Sequence, residues 1–363
     1  MAQTQLLDAR GLNRIMSTMA TTLEASQQLA WLNRTEVNDA ADEELTAKFE
    51  GTVYAADIIS DDARGVTYES GKLTVQPDNV PNLKIGARLN QADLNFLRRM
   101  QARMAGTQDE GIFTDWKNRR IRALLRGIQL RQEALIVAAK LDSVVYDRLG
   151  IKITGSFGTP ADLKSTVATL WTNPAATPIT NLQQMKAYAE ETYGRSYDRA
   201  TMSTTDFQRM VATTEFQNKA SLQYKFSVPA NGVSPYSTEA VTLFEAISGM
   251  KLDIYNVRYK TKNPAGVTSQ QRTLPIGKVI LSNSDDDNNE GVFDLANGIV
   301  TESIVAELVN SFVEGLDGEQ FGPASYIAPT SPDLNPPGIA MWGVSRCFPR
   351  KHDETESAVL TVA

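Results

Sequence analysis

The sequence contains very little cysteine and histidine. Cys347 is the one cysteine and His352 the one histidine among 363 residues. One cysteine cannot form an intrachain disulfide, and this pair cannot supply the ligands of the usual Cys/His zinc sites. The scarcity therefore excludes an internal disulfide framework and a Cys/His zinc centre.

Long apolar runs are absent as well. No segment approaches the roughly twenty apolar residues that a membrane-spanning helix requires, and the N-terminus lacks the charged and then apolar pattern of an export signal. We therefore predict no membrane contact and expect the protein to remain in the cytosol where it is made.

The signatures of common catalytic sites are incomplete. His352 lies in the charged run "PRKHDETE", where we expect an exposed turn histidine with no nucleophile within reach. The run from Ser248 to Lys251 matches S-x-x-K without its companion motifs. The glycine-rich patterns that bind nucleotide phosphates do not occur. We therefore predict no catalytic residue, no cofactor and no enzyme activity.

An acidic run partly matches a calcium-binding loop. Asp285, Asp287 and Asn289 have the spacing of the first, third and fifth positions of an EF-hand. Glu290 replaces the glycine of the sixth position, and Ala296 replaces the bidentate acid of the twelfth. We interpret the run as an acidic surface loop and predict no dedicated metal site, although a weak surface calcium site stays open.

Basic residues are concentrated in one part of an acidic chain. The formal net charge is −7, yet the segment from Arg98 to Arg131 carries about +6 and the remainder about −13. No aromatic residue interleaves with the arginines from Arg119 to Arg131, so stacking on bases is not indicated. A nucleic acid would be contacted through its phosphates, without sequence readout.

The arginines fall on one long predicted helix, residues 115–142. At 100° per residue its apolar positions form one stripe, comprising Ile121, Leu124, Leu125, Ile128, Leu135, Ile136 and Ala139. The opposite face carries Arg119, Arg122, Arg126, Glu133 and Lys140. Gly127 costs the helix about 1 kcal/mol relative to alanine and indicates a bend or a close backbone contact. A solvated face with local ion pairs, a polyanion-binding surface and a subunit contact all remain open.

The first 45 residues are polar and have too little apolar surface to fold alone. Leu29, Trp31 and Leu32 are isolated apolar anchors in this segment. They favour an ordered arm that lies on another surface over a flexible tail.

Short β-prone runs follow between residues 47 and 89. Ser70 and Gly71, between two alternating runs, are a hairpin signal. An isolated hairpin is only marginally stable in water, so we predict a two-stranded projection resting on a neighbouring surface, such as another subunit.

The remainder predicts mixed helices and strands. We expect a helix beginning at Thr159 and Pro160, a helix ending at Gly194, and a strand, cap and helix after Arg199. Residues 221–337 favour an α+β subdomain. The closing run "SAVLTVA" predicts a strand that is tied into a sheet.

The order of these parts resembles the major capsid proteins of tailed bacteriophages. "VPNLKIGARLNQADLNFLRRMQARMAG" is similar to their segment returning from an extended loop, and "TDWKNRRIRALLRGIQLRQEALIVAAKL" to their spine helix. "LPIGKVILSN" resembles a late strand, and "ESAVLTVA" the strand that ends such chains. The resemblance is to the Hong Kong 97-type shell fold, and most closely to the lambda-like capsid protein E family.

This resemblance implies an α+β capsid fold with five parts. They would be an N-terminal arm (1–45), an extended β-hairpin loop (46–97), a peripheral domain (98–203) containing the spine helix, an axial domain (204–329), and C-terminal strands that complete the peripheral domain (330–363).

The resemblance also implies a function. Hexamers and pentamers of the chain would form an icosahedral shell around double-stranded DNA, in a virion assembled in the host cytoplasm. A separate scaffolding protein and a portal would be partners, with decoration proteins left open. Cross-linking through Lys72 or Lys84 of the loop is not implied.

Three groups of residues would carry this function. The inner-surface or intersubunit basic face comprises Arg119, Arg122 and Arg126. The extended-loop contacts comprise Val66, Tyr68, Lys72 and Leu73, and the arm anchors comprise Leu29, Trp31 and Leu32. The alternatives are a cytosolic nucleic-acid-associated binding protein that uses the same helix, and an enzyme with its site in residues 221–337.

Overall fold

A computed structural model describes the fold. The described residues are 16, 19, 29–39, 47–50, 72–75, 82–89, 92–93, 95–96, 99, 107–148, 151–155, 157–223, 238–262, 268–283, 293–298, 323–329 and 339–363. Among these residues, no helix is long and apolar enough to cross a membrane.

The longest element is helix α1 (Thr107–Lys140), which has 34 residues and a length of about 51 Å. It begins eight residues before the predicted start of residue 115, and the additional residues include Gly111. Acidic residues in the first turn of α1 favour a helix N-terminus through the helix dipole. At the other end, Asp142 adopts a left-handed conformation with φ of 53°, two residues after the helix ends.

The predicted apolar stripe of α1 is confirmed. Each of its seven residues is buried, and the N-terminal part of the stripe packs with Met341. A Cβ atom at Gly127 would lie 2.5 Å from Cδ1 of Ile85. The glycine therefore marks a close approach between α1 and a neighbouring strand.

The first sheet contains five strands: β1 (Glu36–Asp39), β4 (Asn82–Arg88), β13 (Phe293–Gly298), β14 (Ala324–Pro329) and β15 (Ile339–Lys351). Their order is β1-β13-β15-β14, and β4 also pairs with β15. β1 is parallel to β13, whereas β15 is antiparallel to each of its three partners. Gly343 of β15 lets α1 approach, because a Cβ there would lie 3.2 Å from Cβ of Leu124.

The second sheet also contains five strands: β7 (Lys164–Thr166), β8 (Arg199–Met202), β9 (Lys251–Ile254), β12 (Lys278–Ser282) and β16 (Ser357–Thr361). Their order is β7-β16-β12-β8-β9. The helices of this region are α2 (Pro178–Tyr193), α3 (Thr204–Val211), α4 (Thr214–Gln223) and α5 (Thr238–Ser248). They share one hydrophobic core with this sheet.

Two local predictions in this region are confirmed. α2 ends at Gly194, whose φ of 68° is left-handed, a conformation that glycine adopts without a steric penalty. β8 is followed by Ser203, whose hydroxyl accepts a hydrogen bond from the backbone N–H of Asp206 at 3.1 Å and so caps α3.

The helix predicted after Thr159 and Pro160 was wrong. The chain instead forms one 3-10 turn (Ala161–Leu163) and then strand β7. Backbone hydrogen bonds from Val167 to Thr361 and from Trp171 to Val362 continue the pairing with the end of the chain. Tertiary pairing therefore overrides the local helix signal.

The predicted C-terminal strands form as β15 and β16, but they do not pair with each other. β16 lies inside the second sheet, antiparallel to β12 and parallel to β7, which confirms that "SAVLTVA" is tied into a sheet. β15 belongs to the first sheet, so the turn between the two strands connects the sheets. Strand pairing also crosses the predicted boundary between residues 203 and 204, since β8 and β9 are neighbours.

Three two-stranded ribbons complete the described strands. They are β2 (Ala47–Glu50) with β3 (Lys72–Val75), β5 (Val144–Arg148) with β6 (Ile151–Gly155), and β10 (Arg258–Lys262) with β11 (Thr268–Arg272).

Candidate functional surfaces

The predicted basic face is exposed to solvent only in the N-terminal half of α1. Arg119 and Arg122 are exposed, and Arg126 is half-buried. Neither Arg119 nor Arg122 forms an ion pair with a described residue. Two cations on one helix face are therefore available to an external anion.

Not every basic residue of this region is available. The guanidinium of Arg120 donates to Asp93 at 2.8 Å and lies 5.7 Å from the ring centroid of Trp116. Lys117 lies 5.6 Å from the ring centroid of Phe113. Arg120 and Lys117 are therefore engaged in contacts within the subunit, and fewer basic residues of α1 can bind an external anion.

Glu133 was predicted on the exposed face, and this was wrong. Its carboxylate is buried and accepts hydrogen bonds from the backbone N–H groups of Trp31 at 3.1 Å and Leu32 at 2.6 Å. The hydroxyl of Tyr255 donates to it at 2.7 Å. Burial raises the pKa of Glu133, although these three hydrogen bonds oppose the rise. Burial and the adjacent carboxylate also raise the pKa of Tyr255.

Lys140 was also predicted on the exposed face and is buried instead. Its ammonium group pairs with the buried carboxylate of Glu356 and lies 4.7 Å from the ring centroids of both Trp31 and Phe293. Burial opposes ionisation of Glu356, but the charges of Lys140 and Lys351 hold the pKa of that carboxyl below its usual value. The cluster is a buried ion pair with aromatic walls.

Lys351 extends this cluster. Its ammonium group donates to the hydroxyls of Thr159 at 2.7 Å and Ser357 at 3.0 Å. Burial lowers the pKa of Lys351 to about 8. The cluster joins the end of α1, the end of β15 and the start of β16, so it lies where the two sheets meet.

The sequence around Glu133 and Lys140 indicates that this part of α1 is buried. Residues 134–139 read "ALIVAA" and are apolar on every face of the helix, which is typical of a helix buried all round. A single apolar stripe describes only the N-terminal half of α1. Glu133 and Lys140 flank the run and needed partners from distant segments.

The three arm anchors are buried within their own subunit. Leu29, Trp31 and Leu32 belong to a core cluster that also contains the C-terminal half of α1. Arg34 pairs with Asp253 at the end of the same segment. Residues 29–34 therefore contact both α1 and the second sheet, whereas Met16 packs with Met341 of the first sheet and residues 36–39 form β1 of that sheet.

Within the predicted extended loop (46–97), β2 and β3 form an antiparallel pair in which Glu50 is opposite Lys72 and Phe49 is opposite Leu73, whereas β4 belongs to the first sheet. Residues 51–71 separate the two strands in sequence, so a tight turn at Ser70 and Gly71 does not connect β3 to its described partner. Val66 and Tyr68 lie outside the described residues. The second lysine of the predicted loop, Lys84, is in β4 and lies 5.0 Å from the ring centroid of Trp342.

His352 is less exposed than predicted. Its side chain is 27% exposed, and Nε2 lies 3.3 Å from Oδ1 of Asp294. Asp294 also accepts from Arg350 at 2.9 Å and from Asn38 at 3.0 Å. Burial opposes ionisation of Asp294, yet His352, Arg350 and Asn38 keep the pKa of this carboxyl well below its usual value. The histidine belongs to a polar cluster that connects β1, β13 and the end of β15.

Among the described residues, the other candidates for catalysis and metal binding do not come together in a site. Burial raises the pKa of Cys347 to about 12, so its thiol stays protonated at neutral pH. The hydroxyl of Ser248 contacts the backbone of Met250. Within the described ranges no three His, Cys, Asp or Glu residues could hold a metal ion, and the acidic run 285–289 lies outside them.

Residues 45–293 match the family described as phage major capsid protein E. The chain belongs to this family. It is a major capsid protein of the Hong Kong 97-type α+β fold, and it forms a shell and is a structural component of the virion. The resemblance drawn from the sequence is therefore confirmed.

Solved structures share the fold along the whole capsid protein. A phage-related protein of Bordetella bronchiseptica RB50 is 12% identical, with a TM-score of 0.55 and coverage of 99% of each chain. A candidate prophage capsid protein of E. coli CFT073 is 14% identical, with a TM-score of 0.52 and coverage of 98% of this chain and 99% of that one. No curated protein matches the chain.

Proposed function

We propose that hexamers and pentamers of this capsid protein close into an icosahedral shell around double-stranded DNA, with the N-terminal half of α1 on the inner surface. The observation that carries the proposal is the pair of exposed arginines, Arg119 and Arg122, with no ion-pair partner among the described residues. Phosphates bind such cations without sequence readout, and packaged DNA offers no constant sequence to read.

Two further contacts belong to the same proposal. The extended loop between β2 and β3 reaches a neighbouring subunit, since a two-stranded ribbon is only marginally stable alone. In such heterologous contacts, two different surfaces of the subunit meet. They form a closed ring when the rotations from one subunit to the next add up to a full turn. Many modest contacts per subunit then stabilise the lattice collectively. A scaffolding protein, a portal and assembly in the host cytoplasm complete the proposal, and the division into peripheral and axial domains remains a prediction.

Charge reversal at the basic face tests the proposal. Arg119→Glu/Arg122→Glu is compared with Lys186→Glu/Lys251→Glu, which makes the same charge change on the second sheet and its helices. Electron microscopy and light scattering report shells, and fluorescence anisotropy reports binding of a mixed-sequence DNA duplex. We expect the α1 variant to stay folded and to bind DNA more weakly, whereas the control binds it as the wild type does. Equal DNA binding by both variants would contradict the assignment of α1 to the inner surface. Wild-type chains that never form shells would contradict the proposal that hexamers and pentamers close into a shell.

A further inference from the structure

The ribbon formed by β10 and β11 is a second basic surface. Its charged residues are all cationic, namely Arg258, Lys260, Lys262 and Arg272, and residues 258–272 include no aspartate or glutamate. This composition is unusual in a chain whose net charge is −7. Among the described strands, β10 and β11 pair only with each other, so the ribbon is not part of either large sheet.

Strand geometry places the cations on one side of the ribbon. Arg258 and Lys260 are two residues apart and therefore share a face. The register sets Arg258 opposite Arg272 and Lys260 opposite Gln270. Arg258, Lys260 and Gln270 are exposed, and Arg272 is half-buried. The result is a face that combines three cations with an amide donor.

The other side of the ribbon is anchored to α1. Tyr259 lies under Arg131, whose guanidinium carbon is 5.6 Å from the ring centroid. On this side the hydroxyls of Thr261 and Ser269 contact each other at 2.9 Å. The contact between Tyr259 and Arg131 joins the ribbon to α1, and it does not involve the cationic face.

The opposed arginines carry an uncompensated charge. Like charges directly opposite each other destabilise an antiparallel pair. Neither Arg258 nor Arg272 forms an ion pair with a described residue. A bound anion between them would remove the repulsion and add charge-assisted hydrogen bonds.

The chemistry of the exposed side chains indicates which anion. Protein interfaces are centred on buried apolar or aromatic residues, and the described exposed residues of the ribbon include none. Arginine, lysine, threonine and glutamine are the side chains that contact DNA phosphates, and a two-stranded ribbon fits the major groove. We propose that β10 and β11 bind the phosphates of double-stranded DNA, without reading its sequence.

This inference rests on the proposed function, because it needs double-stranded DNA inside the shell. The ribbon is nevertheless separate from the Arg119 and Arg122 surface. Arg131, which contacts the ribbon, lies nine residues beyond Arg122, a distance of about 14 Å along α1 at 1.5 Å per residue. The two surfaces can therefore be altered one at a time.

The experiment measures how the affinity for a mixed-sequence DNA duplex depends on salt. The full-length proteins are wild type, Arg258→Gln/Arg272→Gln, Arg119→Gln/Arg122→Gln and the control Lys186→Gln/Lys251→Gln. Each phosphate contact contributes about 0.9 to the slope of log K against log salt. We expect the ribbon variant to lower the slope by about 2, with a melting temperature no lower than that of wild type. The control should keep the wild-type slope.

The outcomes separate the ribbon from the rest of the proposed function. If only the α1 variant lowers the slope, the DNA-filled shell stands and the ribbon inference is wrong. If only the ribbon variant lowers it, the ribbon is the DNA contact and the α1 assignment is wrong. A ribbon variant that binds DNA normally but forms no shells would show that the ribbon contacts a second copy of the chain, which overturns its assignment to DNA. A wild-type chain that binds no duplex overturns both assignments.

Discussion

The carboxylate of Glu133 and the backbone N–H of Leu32 are joined by a 2.6 Å hydrogen bond across 101 positions of the sequence. With the contact to Trp31, this bond fixes the N-terminal segment on α1 inside one subunit. The segment continues to Arg34, which pairs with Asp253 of the second sheet. A polar segment that could not fold alone is therefore held by a single buried side chain and its neighbours.

Removal of the Glu133 carboxylate should be costly. Glu133→Leu keeps the apolar volume but leaves two backbone N–H groups and the Tyr255 hydroxyl without their acceptor. Each unsatisfied donor costs about 1–3 kcal/mol, so we expect a loss of about 3 kcal/mol or more in the free energy of unfolding. Tyr255→Phe removes one hydrogen bond and should cost about 1 kcal/mol. Urea unfolding of unassembled chains measures both variants, and a smaller loss for Glu133→Leu than for Tyr255→Phe would refute the anchoring role.

Lys351 should make stability depend on alkaline pH. Its folded-state pKa of about 8 lies below the ordinary value of 10.5, so the unfolded chain binds more protons between these values. Stability therefore rises with pH across that window, and the contribution is lost as the pH falls through 8. Lys351→Met removes this term, and the stability of wild type relative to the variant should increase from about pH 7 to about pH 10. Parallel pH profiles from urea unfolding would show that Lys351 keeps its ordinary pKa.

Three glycines should respond differently to alanine. Gly111→Ala meets no atom within 4 Å and should stabilise α1 by about 1 kcal/mol. Gly127→Ala gains the same propensity but must displace the end of the Ile85 side chain, so its effect should be smaller.

At Gly86 a Cβ would lie 2.5 to 2.9 Å from three atoms of the Trp342 ring, and Gly86→Ala should destabilise by about 1–3 kcal/mol. The melting temperatures from thermal unfolding should therefore decrease in the order Gly111→Ala, Gly127→Ala and Gly86→Ala. A Gly86→Ala protein as stable as Gly111→Ala would show that Trp342 can leave this position freely.

The extended loop should be needed for assembly and not for folding. Replacing residues 66–73 with a Gly/Ser segment of equal length removes Val66, Tyr68, Lys72 and Leu73. We expect chains that lose the β2–β3 pairing but keep the helical circular dichroism signal, and that no longer close into shells in electron micrographs. Normal shells from this variant would show that the loop makes no essential contact between subunits.

The sequence predicts the elements that depend on local patterns. The stripe from Ile121 to Ala139 and the end of α2 at Gly194 follow from helical periodicity and from glycine conformation. The family resemblance followed from the order of such elements. No pattern at a fixed spacing locates a partner across the chain, however. The apolar run from residue 134 to residue 139 indicates that this half of α1 is buried, but it does not identify the partners of Glu133 and Lys140.

Strand pairing shows the same limit. β3 pairs with residues 47–50 rather than across the turn signal beside it, and the two closing strands separate into different sheets. The β10 and β11 ribbon was within the predicted α+β region, but its cationic face became evident only from the register that opposes Arg258 and Arg272. Pairing register is set by tertiary contacts, which a single sequence does not display.

The buried pair of Lys140 and Glu356 has a consequence for the geometry of the shell. It lies at the turn through which the chain passes from one sheet to the other, and breaking such a pair typically costs about 3–5 kcal/mol. Bending the subunit at this joint would separate the two charges. We therefore expect the curvature of the lattice to be adjusted mainly at the contacts between subunits, and less by changes in the angle between the two sheets.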